Sequence, residues 1–237
     1  MREMKKYVIS LAILATLLTS CASEFNRVYK TTDNDYKYEF AKECFARGKF
    51  TQAITLLQEL VTIQKGTDNA QECLYMLAMA EYCDRDYESA SETFKKYYQT
   101  YPKGIYAEQA AFYIGQSLYQ STPEPRLDQT ATVNAISAYQ DFLDFFPESQ
   151  LKAKASSRMF ELTDKLVLKE YLSAKLYYNL GDYFGNCTNG GSNFEACIVT
   201  SENALKTYPF TSMREQFAVL IMKSKYELAR QSVEEKK

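Results

Sequence analysis

The stretch from Leu74 to Pro102 constrains the fold most, because its small and large residues fall at the offsets that two antiparallel helices need to pack as one unit. Leu74, Leu77, Ala78 and Glu81 follow the three- and four-residue spacing of one helix face. Tyr87, Ala90, Phe94 and Tyr97 do the same before the chain stops at Tyr101-Pro102. Ala78 and Ala90 are small residues at which two backbones can approach closely, and Leu77, Tyr87 and Phe94 fill the space around them. Proline ends the second helix, since it has no N–H for the helical ladder and biases the preceding residue away from helical geometry. A helix pair of this size cannot bury its own apolar face, so the pattern demands stacked neighbours.

Spacing alone finds those neighbours. An aromatic followed by proline recurs at Tyr101-Pro102, Phe146-Pro147 and Tyr208-Pro209, and upstream of each proline, at the same distance, sits Ala90, Ala135 or Cys197. Phe40-Ala41, Gly48, Phe50, Ala53 and Leu57 repeat the offsets without a closing proline. Ile114-Gly115 and Leu118 open a third unit, and Ala174, Tyr177, Gly181 and Tyr183 a fourth. This is the tetratricopeptide pattern, with Leu74 for the usual Trp and Glu81 for the usual Tyr.

The N-terminus reads as an address. Arg2, Lys5 and Lys6 precede an apolar run from Tyr7 to Leu18, too short to cross a bilayer core of roughly 30 Å. The end of the run, Leu18-Thr19-Ser20-Cys21, resembles the bacterial lipobox, in which the leader is removed and the cysteine becomes the acylated first residue. An ordinary, unlipidated signal is the plainer reading of the same run. Ala22 in place of Asp after the cysteine resembles the sorting pattern for the outer membrane, facing the periplasm. Without 1–20 the formal charge moves from −2 to −4, so no basic excess is present to hold nucleic acid.

The expectation is an all-α tetratricopeptide-repeat solenoid of about four to five helix pairs. Residues 1–20 are the signal peptide, 21–33 a lipidated tether without periodicity, 34–149 the N-terminal repeats and 150–237 the C-terminal repeats and a capping helix. Asp68 is placed to cap the helix after Gly66-Thr67. Ser121-Thr122-Pro123-Glu124-Pro125 interrupts the third repeat, 150–180 has no breaker and predicts one long helix, and an amphipathic helix from 212 to about 231 ends the stack.

A second regularity lies in the first helices of the repeats. Tyr38, Tyr75 and Phe112 are spaced by 37 residues, as are Phe45, Tyr82 and Tyr119, and Tyr171 and Tyr178 take the same offsets in the fourth unit. In tetratricopeptide proteins such a face lines the concave groove, which predicts a peptide-binding surface. The competing reading makes these rings ordinary core aromatics.

Catalytic chemistry has little to work with. The chain has no histidine, its carboxylates follow helix faces, and Gly190-Gly191 lacks the lysine and spacing of a phosphate loop, so no enzyme, metal or cofactor is expected. Cys44, Cys73 and Cys83 fall at repeat positions suited to small buried hydrophobes. Cys187 and Cys197 flank a glycine-containing loop and are candidates for a disulfide, although Cys197 also occupies the small-residue offset.

Three stretches carry a closer resemblance: Gly104-Ile105-Tyr106-Ala107-Glu108-Gln109-Ala110, Arg126-Leu127-Asp128-Gln129-Thr130 within the interrupted repeat, and Ala138-Tyr139 with Phe142-Leu143 and Pro147. With the long fourth helix, they resemble the BamD family, lipoproteins of the machinery that inserts β-barrel proteins into the bacterial outer membrane. The resemblance spans about 24 to 231. It implies a non-enzymatic scaffold held to the membrane by its N-terminal lipid. Its N-terminal repeats would meet unfolded outer-membrane proteins, and its C-terminal repeats the periplasmic domain of the β-barrel insertase. The Cys187 loop departs from the family, which has a tight turn near Gly181-Asp182-Tyr183. A different tetratricopeptide lipoprotein, a pilotin or an envelope or glycan-related scaffold, would share the lipobox and the repeats.

Overall fold

The computed structural model describes residues 24–183 and 192–234. The signal 1–20, the acylation candidate Cys21 and the disulfide candidate Cys187 lie outside them. The described residues are helical, with no strand among them, and fall into two compact units divided between Ser117 and Leu118. The division falls within a helix.

The first unit holds α1 (Asn34–Ala46), α2 (Phe50–Ile63), α3 (Ala70–Cys83), α4 (Tyr87–Thr100) and most of α5 (Ala107–Gln120). Consecutive helices from α1 to α4 pack on each other. Ala41, Ala53, Ala78 and Ala90 are completely buried, as the close approach of helix pairs requires. Around them Leu56, Leu57, Leu60 and Phe94 are fully enclosed, each contributing about 1.5 to 3 kcal/mol by burial. Asp33 and Asp86 cap α1 and α4 by accepting from the N–H of Tyr36 and Ser89 at 3.0 and 3.2 Å.

Two details differ from the expectation. Asp68 does not cap α3, whose cap position is Asn69 without a side-chain bond; the preceding turn is instead closed by Thr67 donating to Gln64. Residues 24–29, expected to be part of an aperiodic tether, form a short helical segment with Val28 fully buried and Phe25 against the core of α1 to α3. Its pattern is too short to register as a period.

The hairpin turns repeat as closely as the helices. The Gly48 and Lys49 N–H groups donate to the Phe45 and Cys44 carbonyls, and the Arg85 and Asp86 N–H groups donate to those of Tyr82 and Glu81. The third residue of this turn needs positive φ, which is +72° at Gly48 and 68° at Arg85. A side chain there costs about 1 to 2 kcal/mol, and glycine's greater unfolded freedom offsets about 0.5 to 1 of the gain. Arg85→Gly should therefore stabilise the chain by about 0.5 to 1 kcal/mol in urea unfolding, and destabilisation would show that the Arg85 side chain outweighs its strain.

Glu81 is an acidic residue inside the first unit, 4% exposed, with Oε2 lacking a hydrogen-bond partner. Burial raises its pKa, against an opposing bond from Thr93. Because the folded value lies above the unfolded one, this group favours folding below the ordinary carboxylate range, and that contribution is lost as pH rises through the folded value. Glu81→Gln should remove this dependence. Urea midpoints of the variant should exceed the wild type at pH 7 and converge with it near pH 4; a constant offset would contradict the assignment.

The second unit holds the end of α5, α6 (Thr130–Phe145), α7 (Lys152–Leu180), α8 (Asn193–Thr207) and α9 (Arg214–Glu234). Helix α7 is 29 residues long, about 44 Å at about 1.5 Å per residue, matching the breaker-free stretch. It packs on α6, α8 and α9, with Ala174, Cys197 and Ala204 at the close contacts and Val167 and Phe217 between them. Ser192 and Glu195 form a reciprocal capping box at the start of α8.

Candidate binding site

The aromatic residues spaced by 37 do not form one exposed stripe. Tyr38 and Phe112 are 3% and 1% exposed, so neither lines a groove. Tyr38 sits in the core of the first two helix pairs, where burial and the nearby Glu72 push its hydroxyl well above the usual tyrosine range. Tyr75 lies in an aromatic box, stacked on Tyr106 at 4.4 Å and edge-on to Phe94 and Tyr97 at 5.8 Å; burial pushes its hydroxyl up to about 12. Gly104 makes room for this arrangement. A Cβ there would collide with the Tyr97 hydroxyl and the Gln71 side chain, while Tyr97 accepts from the Tyr106 N–H and donates to Gln71 at 3.3 Å.

The second offset has a consistent structural partner. Phe45 meets Phe50 edge-on at 5.7 Å, Tyr82 meets Tyr87 at 5.5 Å and Tyr178 meets Phe194 at 5.9 Å, each across the connection to the next helix. Tyr119 breaks the series because residues 121–129 replace the tight turn. It lies under Arg158, 4.5 Å from its ring, and donates to Glu161 at 2.5 Å. The hydrogen bond to Glu161 raises the Tyr119 pKa, and the same bond holds Glu161 below the usual carboxylate range.

The inserted segment is fastened from both sides. Lys165 donates to Thr122 Oγ1 at 2.6 Å, with its pKa lowered by burial, and Lys169 donates to the Leu127 carbonyl at 2.9 Å. Gln129 Nε2 donates to the Glu124 and Leu127 carbonyls at 2.7 and 3.2 Å, while its Oε1 accepts from Thr132 at 2.7 Å. Arg126-Leu127-Asp128-Gln129-Thr130 is therefore a lock on the interruption. Removing this side chain deletes all three bonds; the two carbonyls keep the Leu127 N–H and Lys169 as donors, but the fully buried Thr132 hydroxyl loses its acceptor, at a cost of about 1 to 3 kcal/mol. Gln129→Ala should accordingly increase amide exchange and protease cleavage over 121–129 while leaving the first unit unchanged; unaltered protection there would refute the lock.

Tyr171 and Tyr178 are the two expected groove residues that the structure brings onto a common open surface. With Lys175, Asn179, Val219 and Lys223 they line a cleft of about 500 Å³ between α7 and α9. Tyr171 is braced edge-on by Phe217 at 5.6 Å, and Lys175 Nζ lies 6.0 Å from its ring. The cleft offers aromatic side chains and two cations against one carboxylate, Glu215, a net positive lining suited to an aromatic chain end with a carboxylate. The lysines and Val219 were not singled out from the sequence; Lys175 stands between the two tyrosines, one turn from each, which is the signal that would have found it. Among the described residues no cluster of acidic and cysteine side chains is arranged to hold a metal, and no helix is long and apolar enough to cross a membrane. The described partner of the expected bridge, Cys197, is buried in α8.

The family model described as YfiO, outer membrane lipoprotein, matches residues 30–235, which takes in most of both units. The chain belongs to this outer-membrane lipoprotein family. Among curated relatives, it is 22% identical over 177 residues to the outer membrane protein assembly factor BamD of Caulobacter vibrioides, covering 73% of this chain and 58% of that protein. It is 31% identical over 136 residues to the putative outer membrane protein assembly factor BamD of Aquifex aeolicus, covering 57% of this chain and 43% of that protein. The chain thus spans about half the length of the curated relatives it matches.

Proposed function

We propose that the chain is a periplasm-facing scaffold of β-barrel assembly, anchored to the outer membrane through acylated Cys21. In this reading it binds unfolded outer-membrane proteins and the periplasmic domain of the insertase. The family match across both units, with relatives named as assembly factors, carries the reading. The cleft of Tyr171 and Tyr178 supports it chemically. A barrel protein ends in a strand rich in aromatic side chains with a free carboxylate, and the cleft pairs two rings with Lys175 and Lys223. No catalytic step is needed for such a role. Binding exposed chain ends by stacking and charge is enough to hold a substrate for transfer.

Two measurements test this. The full chain isolated from detergent-solubilised envelopes should carry the insertase as a main partner identified by mass, and recovery of a secretin or glycan-associated complex in its place would overturn the reading. A barrel-derived C-terminal peptide should bind the chain, and Tyr171→Ala with Tyr178→Ala should weaken it at least about tenfold, since about 1.4 kcal/mol is tenfold and interface rings commonly exceed that. Amidating the peptide's terminus should weaken it as well. Equal binding by a variant of unchanged helix content would reject the cleft.

A further inference from the structure

Helix α9 closes the second unit with one face and leaves a second, equally regular face open. Inward, Phe217, Leu220 and Ser224 are buried, and Gln231 bonds Asp182. Outward, Val219, Met222, Tyr226 and Val233 are 44%, 63%, 66% and 57% exposed, with exposed Ala229 between the last two. Their spacing is three, four, three, four, the repeat of a coiled-coil seam and not of a broad amphipathic face. Single exposed apolar residues are ordinary, but the terminal helix of a repeat stack normally turns a polar face to solvent.

The charges beside the seam select its occupant. Lys223 and Arg230 follow it on one side and Lys225 on the other, and none of these flanking positions is acidic. Lys225 already faces the exposed Glu202 at 3.7 Å, and Arg230 lies 2.8 Å from the half-buried Glu227 and 3.9 Å from Glu234, but surface pairs of this kind are weak and readily exchanged. We propose that the outer face of α9 docks an amphipathic helix of a second protein, one with apolar residues at its seam and Asp or Glu on its flanks. A second copy of this chain would set lysine and arginine against lysine and arginine in either orientation. A lipid surface calls for a wide apolar face, whereas this one is a single residue across and narrows to Ala229, where a partner backbone can come close. The seam shares Val219 and the flanking Lys223 with the rim of the Tyr171–Tyr178 cleft, whereas Met222 and Tyr226 do not line that cleft, so substitutions at 222 and 226 test the seam separately from the barrel-assembly reading.

The test titrates the full chain with two labelled peptides of about three heptads, both with leucine at the seam, one with glutamate and one with lysine on the flanks. The acidic peptide should bind at least about tenfold more tightly than the basic one. Met222→Glu with Tyr226→Glu should lower that binding at least about tenfold, and Lys225→Glu with Arg230→Glu should turn the preference toward the basic peptide. Circular dichroism checks the fold, and the single change Tyr226→Ser makes the same comparison should the double variant lose helix content. Equal binding of the two peptides, or binding indifferent to these substitutions, would overturn the proposal. So would a concentration-dependent dimer abolished by Met222→Glu with Tyr226→Glu, or seam-dependent binding of a Cys21→Ser chain to phosphatidylglycerol vesicles.

Discussion

Everything in the two units depends on close contact between helix backbones at small residues. Ala41, Ala53, Ala78 and Ala90 in the first unit, and Ala174, Cys197 and Ala204 in the second, have essentially no exposed surface. A larger side chain at any of them would hold the helices apart and open voids around the neighbouring rings, and overpacking of this kind costs about 1 to 3 kcal/mol. The small residues fix how near the helices come, and the aromatics then have a defined space to fill. Tyr97, Phe94 and Tyr139 are fully enclosed as a result. Shape complementarity carries the helix contacts, and buried charges are handled one at a time. Lys37 reaches Glu59 at 2.9 Å, whereas Glu81 is tolerated at a pH-dependent cost.

A recurrent aromatic pair ties a helix to its successor at three connections. The last-turn rings Phe45, Tyr82 and Tyr178 meet Phe50, Tyr87 and Phe194, across two short turns of equal length and one longer connection. Where the chain inserts 121–129, the corresponding Tyr119 no longer has an aromatic partner across the turn. Arg158 and Glu161 on α7 take over, substituting a cation over the ring and a charge-assisted hydrogen bond for edge-to-face packing. The insertion is held by Gln129, Lys165 and Lys169 and is an ordered part of the unit. The residues that made this stretch resemble a known family, Arg126 to Thr130, include the side chain that locks it. Gly104 serves a similar end, leaving room for Tyr97 and Tyr106 beside Tyr75.

The fold was largely legible in the sequence because small residues and proline stops recur at fixed offsets, and both have few alternative meanings. The surface was less so. Spacing by 37 shows that Tyr38, Tyr75 and Phe112 occupy equivalent environments, yet it does not say whether those environments are inside or outside. An offset seven residues apart on one helix face looks the same in a groove and in a seam. Tyr171 and Tyr178 retain open ring faces because α9 passes beside them with Val219 and Lys223 at the rim of a cleft. That difference arises from tertiary packing, which composition and period do not encode. The helical segment at 24–29 escaped for another reason: a single buried valine, Val28, anchors it, and one residue makes no pattern.

The two faces of α9 also separate stability from recognition. Its inner row of Phe217, Leu220 and Ser224 is buried against α7 and α8, so the helix is ordered before anything touches its outer row. A disordered segment that folds on binding must offset about 2 to 5 kcal/mol of ordering, but this surface has already met that cost through its own core. A partner helix would meet rings and methyl groups in fixed register and would need to order only itself. Such preorganisation lets a narrow apolar seam be useful where a floppy tail of the same composition would bind weakly. It also explains how the outer row can stay apolar without harming the stack. The fold does not rely on those side chains, so their cost is limited to exposed apolar surface, and the flanking Lys223, Lys225 and Arg230 keep that surface solvated and repel an identical neighbour.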